Sequence, residues 1–350
     1  MRGVLPIANL FLHRSGNKLT QQTILANHCL EKYDFLISLG VYSYYRIEKI
    51  PVISWVQGPP HTERYFNLKK LRKEVILING ITPYIKLLLF YALKSNLIIP
   101  NPSNHDVLIC GSQWSKKQLS DYGFVFNSIK TLPYPINLKL FKVNDNIVDH
   151  QQNKEKVFLW LGRCDPRKRL DLLLEAYALV LKKRQDVRLK IFGGFRYAPG
   201  YKKLLDNFEF PDRLEYNPYI DRLKVPELMS SCDVLIQPSE GENFGSSVAE
   251  ALSCGLPVIV GPTNGTKDYI SSSSFVFDEY TPESLKETML KAIETVEHRR
   301  KELALDARQT AEQNFDVSKI VDRLETIFHE TLASKQIEAN QSPTEIFKQP

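Results

Sequence analysis

Residues 238–261 read PSEGENFGSSVAEALSCGLPVIVG, and no other segment of the chain constrains the fold as strongly. An apolar run ends at Ser239, a polar loop follows, and a helical pattern from Ser246 is stopped by Gly255 before the next apolar run. This order predicts an α/β protein with a parallel sheet covered by helices. Ligands bind such sheets beyond the carboxyl ends of the strands, so we expect a site in this loop.

The loop offers backbone groups that suit an anion. Gly241 and Gly245 let the backbone approach a ligand closely, because glycine has no side chain and tolerates unusual dihedral angles. The free amides of Phe244, Gly245 and Ser246 would open the following helix as an anion-binding end.

Two carboxylates accompany these amides. Glu242 lies in the loop, and Glu250 lies on the helix about a turn and a half from its start. This separation predicts two independent hydroxyl acceptors rather than an acid and base acting as a pair. One carboxylate that accepts from two vicinal hydroxyls is a common way to hold ribose.

A second segment, WLGRCDPRKRLDLLLEA at residues 160–176, leads from a strand through a turn to a helix start crowded with cations. Arg163 and Lys168 flank the turn, with Arg167 and Arg169 beside them. Because the helix dipole disfavours cations at this end, the cluster suits a bound anion such as a diphosphate. A solvated basic turn explains the same pattern, since charge clusters usually lie on the surface.

Outside these segments the chain alternates apolar strands with helical patterns in two blocks. The first block has strands at residues 33–40, 51–58 and 106–112. A polar stretch at residues 143–156 has no periodic pattern of apolar residues, which predicts the linker to the second block. A length of 350 residues agrees with two domains.

The composition excludes several classes of protein. With 43% hydrophobic and 25% charged residues the chain is typical of globular proteins, and its net charge of +6 suits anionic ligands. The basic clusters at residues 69–73 and 116–117 lack the interleaved aromatic residues that single-stranded nucleic acid favours, so we expect no nucleic-acid partner. Five scattered cysteines and seven histidines have no metal-like spacing, which predicts reduced thiols, a cytoplasmic location and no bound metal.

The most apolar segment, residues 85–93, is much shorter than the roughly 20 residues that a spanning helix needs. Together with the basic clusters, this segment could rest on an anionic membrane surface. A buried amphipathic helix with a solvated basic face explains the same pattern equally well. We expect at most weak peripheral contact, at the inner face of a membrane.

Taken together, these segments closely resemble the second domain of glycosyltransferase family 4. Three further segments extend the resemblance over roughly residues 105–335: DVLICGSQWSKKQL, LPYPINLKLF, and VIVGPTNGTKDYI, in which Asn264, Gly265 and Asp268 occupy the places of a Gly-Gly-x-x-Glu turn. The family has the GT-B architecture, in which the parallel sheets of two Rossmann-like domains face each other across a cleft.

The resemblance implies a retaining glycosyltransferase that uses a nucleotide-diphosphate sugar as co-substrate and needs no cofactor or metal. Arg163 and Lys168 would hold the donor diphosphate, Glu250 the ribose, and Glu242 the transferred sugar. Further donor contacts would come from Phe244, Gly245, Ser246 and Gly162. Fixed cations and amides would stabilise the charge on the leaving diphosphate, and the lack of an evident nucleophile favours transfer on the front face of the sugar.

In the first block, Gln57 and His61 follow a strand end and are expected to face the cleft on the acceptor side. Many relatives have a histidine near this point, and a surface loop histidine is the alternative interpretation of His61. Relatives begin with a strand and a glycine-rich loop that have no counterpart here, so the resemblance implies an incomplete first domain.

The expected organisation has four parts. These are an acceptor domain at residues 1–145, a donor domain at 156–314, a helix at 315–335 that returns to the first domain, and a disordered tail at 336–350. The expected acceptor is a hydroxyl of a glycan or a lipid-linked molecule. Two other functions remain open: a nucleotide-sugar epimerase with the same fold, and a non-catalytic nucleotide-sugar-binding protein.

Overall fold

A computed structural model describes residues 33–40, 42–47, 50–59, 76, 80–82, 84–85, 89, 101–143, 155–195, 198–271 and 273–341. Within these ranges the chain forms two parallel sheets with helices packed against them. The α/β class expected from the sequence is therefore confirmed. Most of the linker predicted at residues 143–156 lies outside the described residues.

The first sheet has four parallel strands in the order β1-β2-β3-β4. They are β1 (Leu36–Leu39), β2 (Val52–Trp55), β3 (Val107–Cys110) and β4 (Ile129–Thr131). The first three match predicted apolar runs, which are continuous because strands of a parallel sheet are buried on both faces. Strand β4 was not predicted, since only its first residue is fully buried.

The second sheet has six parallel strands in the order β10-β9-β8-β5-β6-β7. They are β5 (Lys156–Leu161), β6 (Val187–Phe192), β7 (Leu214–Asn217), β8 (Val234–Gln237), β9 (Val258–Val260) and β10 (Phe275–Val276). Both faces of this sheet are apolar. On β5, Phe158 and Trp160 join the core on one face while Leu159 joins the core on the other, as the two-residue period of a strand requires.

Seven helices are described in full. They are α1 (Gln113–Asp121), α2 (Leu170–Leu181), α3 (Gly200–Asp206), α4 (Val225–Ser230), α5 (Ser246–Ser253), α6 (Pro282–Asn314) and α7 (Val317–Gln341). Side-chain caps fix two of these starts: Ser112 accepts from Ser115 N at α1, and Thr281 accepts from Ser284 N at α6. Helix α6 is bent where Arg299 leaves helical dihedral angles.

Helix α7 packs against the first sheet, although it follows the second sheet in sequence. Ile320 and Ile327 are buried in one cluster with Ile53 and Ile109 of β2 and β3. Each such buried aliphatic side chain contributes about 1.5–3 kcal/mol to stability. The helix continues to Gln341, beyond the tail boundary predicted at residue 336, because this stretch is rich in good helix formers.

Candidate active site

A cavity of about 480 Å³ lies between the two sheets, where the carboxyl ends of several strands meet. Residues that follow β1, β2 and β4 form one wall: Gly40, Gln57, Gly58, Pro59 and Tyr134. Residues that follow β5 and β8 form the other: Arg163, Arg167, Lys168 and residues 241–247. The two segments singled out in the sequence therefore line one cavity.

The basic turn is a compact structure built on Asp165. The side chain of Asp165 accepts from the amide of Arg167 at 3.1 Å and begins a single turn of 3-10 helix that ends at Lys168. Arg169 then adopts a left-handed conformation with φ of 52°, which is uncommon for a residue with a side chain. Its guanidinium pairs with Asp171 and Glu240, so Arg169 holds the turn in place.

Direct hydrogen bonds join this turn to the loop after β8. Arg167 Nη1 donates to the carbonyl oxygen of Gly241 at 2.8 Å, and the amide of Glu240 donates to the carbonyl oxygen of Arg167 at 2.8 Å. The amide of Gly241 donates in turn to Thr263 Oγ1. These bonds hold Lys168 and Glu242 at a fixed separation although the two residues are 74 positions apart in sequence.

Lys168 and Glu242 form an ion pair, and each side chain is only 13% exposed. Burial raises the pKa of Glu242, but the charges of Lys168, Arg167 and Arg163 outweigh it and bring the pKa below its ordinary value. Glu242 is therefore a carboxylate at neutral pH, able to accept hydrogen bonds from hydroxyl groups.

Arg163 follows β5 and lines the cavity with an exposed side chain. It has no ion-pair partner among the described residues, although its charge contributes to the low pKa of Glu242. An exposed guanidinium beside a buried ion pair can bind an anion that enters the cavity, since arginine matches phosphate oxygens in charge and geometry.

Helix α5 opens directly on the cavity without a side-chain cap. Gly245 occupies the cap position with φ of 87°, a conformation that favours glycine. Within the described part of the chain, the amides of Phe244, Gly245 and Ser246 have no hydrogen-bond acceptor. These amides adjoin the cavity, where they can bind an anion, and their role in donor binding stays a prediction.

Two residues assigned to the donor lie outside the cavity lining. Glu250 is 5% exposed and pairs with Arg222, which projects from the turn before α4. Gly162 adjoins the cavity residue Arg163, and its amide donates to the carbonyl oxygen of Phe192 at 3.0 Å. Their roles in donor binding stay predictions.

Gln57 lines the cavity, and its role on the acceptor side stays a prediction. A methyl group added at Gly40 would lie 3.4 Å from Gln57 Nε2, so the two residues pack closely at this wall. His61 lies outside the described residues, and its role stays a prediction.

Tyr134 and Asn243 are site residues that the sequence analysis missed. Tyr134 lines the cavity, and its hydroxyl donates to the carbonyl oxygen of Val56 at 3.2 Å. Burial raises the pKa of Tyr134 well above its ordinary value, so the hydroxyl keeps its proton. The sequence could have indicated Tyr134 through its place in LPYPINLKLF, the segment that follows β4 and leads from the first domain to the second.

The described residues contain neither a metal-like cluster nor a membrane-spanning helix. No three His, Cys, Asp or Glu side chains there converge to hold a metal ion. None of the helices in the described part is both long and apolar enough to cross a membrane. The expectation that the reaction needs no metal stays a prediction.

Comparison with known proteins identifies a family model and several relatives. Residues 144–310 match the family model described as Glycosyl transferases group 1. An uncharacterized glycosyltransferase, YqgM of Bacillus subtilis, is 27% identical over 164 residues, which cover 47% of this chain and 44% of that protein. Alpha-monoglucosyldiacylglycerol synthase of Streptococcus pneumoniae is 28% identical over 200 residues, 54% of this chain and 45% of that protein. The chain thus spans about half the length of these curated relatives.

Solved structures match over both domains. Sucrose-phosphate synthase from Thermosynechococcus elongatus has a TM-score of 0.68 at 17% identity, covering 90% of this chain and 77% of that one. HepE from Anabaena, solved with UDP and glucose, has a TM-score of 0.63 at 18% identity, covering 90% and 82%. At these identities the likeness shows the fold alone. The chain has the GT-B fold, and its residues 144–310, just under half of its length, match the group 1 glycosyl transferases.

Proposed function

We propose that this protein is a retaining glycosyltransferase of family 4 that transfers a sugar from a nucleotide-diphosphate sugar to a hydroxyl acceptor. One observation carries the proposal. The cations of the 163–168 turn, the carboxylate of Glu242 and the uncapped amides of α5 line a single cavity between two sheets. Its volume of about 480 Å³ is within the usual range for small-molecule sites.

In this proposal the donor diphosphate lies between the basic turn and the start of α5. Arg163 and Lys168 neutralise its charge, and the amides of Phe244, Gly245 and Ser246 donate to its oxygens or to the attached sugar. The nucleoside extends toward Glu250, whose carboxylate accepts from the ribose hydroxyls. The relative HepE was solved with UDP and glucose, which supports a nucleotide sugar as the class of donor.

The reaction breaks the bond between the anomeric carbon and the β-phosphate oxygen. The acceptor oxygen bonds to the same face of that carbon, and its proton passes to the leaving phosphate oxygen. Lys168 and Arg163 stabilise the negative charge that develops on the diphosphate, at positions fixed before the reaction begins. Glu242 accepts from a hydroxyl of the transferred sugar and orients its ring. No protein side chain needs to form a covalent bond to the sugar, and no metal is required.

The first sheet supplies the acceptor wall through Gln57, Gly58 and Pro59. We propose a glycan or a lipid-linked molecule as the acceptor, used on the cytoplasmic side with at most weak contact to a membrane. A relative whose name specifies a glycolipid product, alpha-monoglucosyldiacylglycerol synthase, supports a lipid-linked acceptor.

A calorimetric screen of the purified chain against UDP, GDP, ADP and their common sugar conjugates tests this function. We expect one nucleotide series to bind, and the matching sugar to be transferred to an acceptor with its anomeric configuration retained. A folded protein that binds no nucleotide would refute the donor site. Binding without transfer or donor hydrolysis would favour a non-catalytic binding protein, and conversion of the donor to an epimer would favour an epimerase.

A further inference from the structure

Asn243 lies at the contact between the two domains, in the loop after β8, and is 3% exposed. Its Oδ1 accepts from the amide of Gly111 at 3.2 Å. Its Nδ2 donates to the hydroxyl of Tyr134 at 2.8 Å and is 3.4 Å from the carbonyl oxygen of Val56. Both polar atoms of one side chain from the second domain are therefore bonded to the first domain.

Asn243 and its partners connect the two walls of the cavity. Val56 directly follows β2 and precedes Gln57 and Gly58, which form the acceptor wall. On its own side, Asn243 stands between Glu242 and Phe244, which belong to the proposed donor site. One amide side chain thus connects the backbone of the acceptor wall to the donor loop.

The surrounding contact is too close to admit additional atoms. A methyl group at Gly265 would lie 2.0 Å from the carbonyl oxygen of Asn243 and 2.4 Å from Ser112 Oγ. A methyl group at Gly111 would lie 2.8 Å from the Cβ of Phe244. Buried hydrogen bonds at such a contact are shielded from water, and an unsatisfied partner there is costly.

Other bonds hold the same segment of the first domain from outside the cavity. Asp268 Oδ2 accepts from the amides of Gln113 and Trp114 at the start of α1. The hydroxyl of Tyr269 donates to the carbonyl oxygen of Gly111 at 2.8 Å. Neither Asp268 nor Tyr269 lines the cavity, so their bonds join the domains without contacting the donor loop at Glu242.

We propose that Asn243 is a positioning residue: by bonding both walls, it fixes the distance between the donor loop and the acceptor wall. The inference rests on the function proposed above. Transfer requires the acceptor oxygen to stand about 3–3.5 Å from the anomeric carbon, and a displacement of about 1 Å can slow a reaction about 100-fold. A direct bond between the walls at this point sets that distance.

Asn243→Asp is the sharpest variant, because it keeps the size and the acceptor for Gly111 while replacing the donor nitrogen by oxygen. The Tyr134 hydroxyl can turn and donate to it, but the carbonyl oxygen of Val56 then faces a carboxylate. We expect kcat to fall at least about ten-fold, while the Kd for the nucleotide changes less than about three-fold. We expect nucleotide affinity to be spared because the variant leaves the cations of the 163–168 turn and the backbone amides at the start of α5 in place.

Tyr269→Phe is the matched control, since it removes one bond between the domains at the same Gly111 and leaves Asn243 intact. We expect kcat to change less than about two-fold. A comparable loss of kcat in both variants would overturn the inference, because any weakening of the contact would then be enough. An unchanged kcat in Asn243→Asp would overturn it as well.

The separation of the domains can be measured without activity. Spin labels at Asp121→Cys on α1 and Lys203→Cys on α3, both exposed positions, report the distance by double electron–electron resonance in a Cys29→Ser background. We expect a narrow distribution in the parent and in Tyr269→Phe, and a broader or shifted one in Asn243→Asp. If the parent transfers no sugar, the proposed function fails, and an unchanged distribution in Asn243→Asp would separately refute the tether.

Discussion

Arg222 and Glu250 form an ion pair with 2.6 Å between Nη2 and Oε1, at the residue that the family resemblance assigns to ribose. The guanidinium of Arg222 also lies 4.7 Å from the centre of the Phe141 ring, although its side chain is 59% exposed. Burial raises the pKa of Glu250, and the charge of Arg222 only partly opposes this. Ionising this carboxylate therefore costs stability, which is typical of a functional group.

Glu250→Gln should separate binding from stability. A buried charge that accepts from ribose hydroxyls contributes about 1.5–3 kcal/mol, so nucleotide affinity should fall about ten-fold or more. The raised pKa means that the contribution of Glu250 to stability declines as pH rises from its unfolded pKa through its folded one. Glu250→Gln removes that decline, so its melting temperature at neutral pH should equal or exceed that of the parent. Calorimetry and thermal melting measure both; a clear loss of stability at neutral pH would contradict the assignment.

Arg222→Ala should make nucleotide binding more sensitive to acid. Without the guanidinium, the pKa of Glu250 rises further, because burial is then unopposed. As the pH is lowered, the variant should lose nucleotide affinity at a higher pH than the parent does. At mildly alkaline pH the two Kd values should agree within about three-fold. Titration calorimetry from about pH 5 to pH 8 checks this. Uniformly tighter binding at every pH would instead mean that Arg222 blocks the ribose site.

Lys168→Ala should reduce turnover by about 100-fold or more, since a fixed cation at the leaving group contributes several kcal/mol to catalysis. The exposed Lys182→Ala, at the end of α2, is the matched control and should leave kcat unchanged. Steady-state kinetics with saturating donor measure the effect. Equal kcat values for both variants would remove Lys168 from the proposed mechanism.

The loss of Lys168 should also alter stability. The pKa of Glu242 is lowered in the folded protein, so its contribution to stability is present above its unfolded pKa and is lost as pH falls through the folded one. Lys168→Ala removes the contact partner and should diminish that contribution at neutral pH. Thermal melting checks this: the melting temperature of the variant should lie below that of the parent at neutral pH, and the difference should shrink at acidic pH.

Burial explains which elements could be predicted from the sequence. The fully buried β3 is an unbroken apolar run and β8 is apolar up to its last residue, Gln237, and both strands were predicted. The missed strand β7 is at the edge of its sheet and all four of its residues are half-buried, so its sequence LEYN has no apolar run. Strand β10 has only two residues, too few for any periodic signal.

In the site, too, features set by neighbouring residues could be predicted, and contacts between residues far apart in sequence could not. The turn at residues 163–168 and the loop at 241–246 were recognisable because glycine, proline and charge patterns act within a few residues. The bonds from Asn243 to Gly111 and to Val56 span 132 and 187 residues. They depend on how the two sheets meet, which a single sequence does not encode as a pattern. The pairing of Arg222 with Glu250 was missed for a similar reason.

Ile320→Ala tests whether helix α7 stabilises the first domain although it follows the second in sequence. Ile320 is buried against the first sheet, and truncating such a side chain costs about 2–5 kcal/mol. The adjacent Val321 is 45% exposed, so Val321→Ala is a matched control with little expected effect. Hydrogen exchange should accelerate in peptides covering β2 and β3 of Ile320→Ala and remain unchanged in those covering β5 and β8. Faster exchange confined to the second sheet would show that α7 contributes its stability there instead.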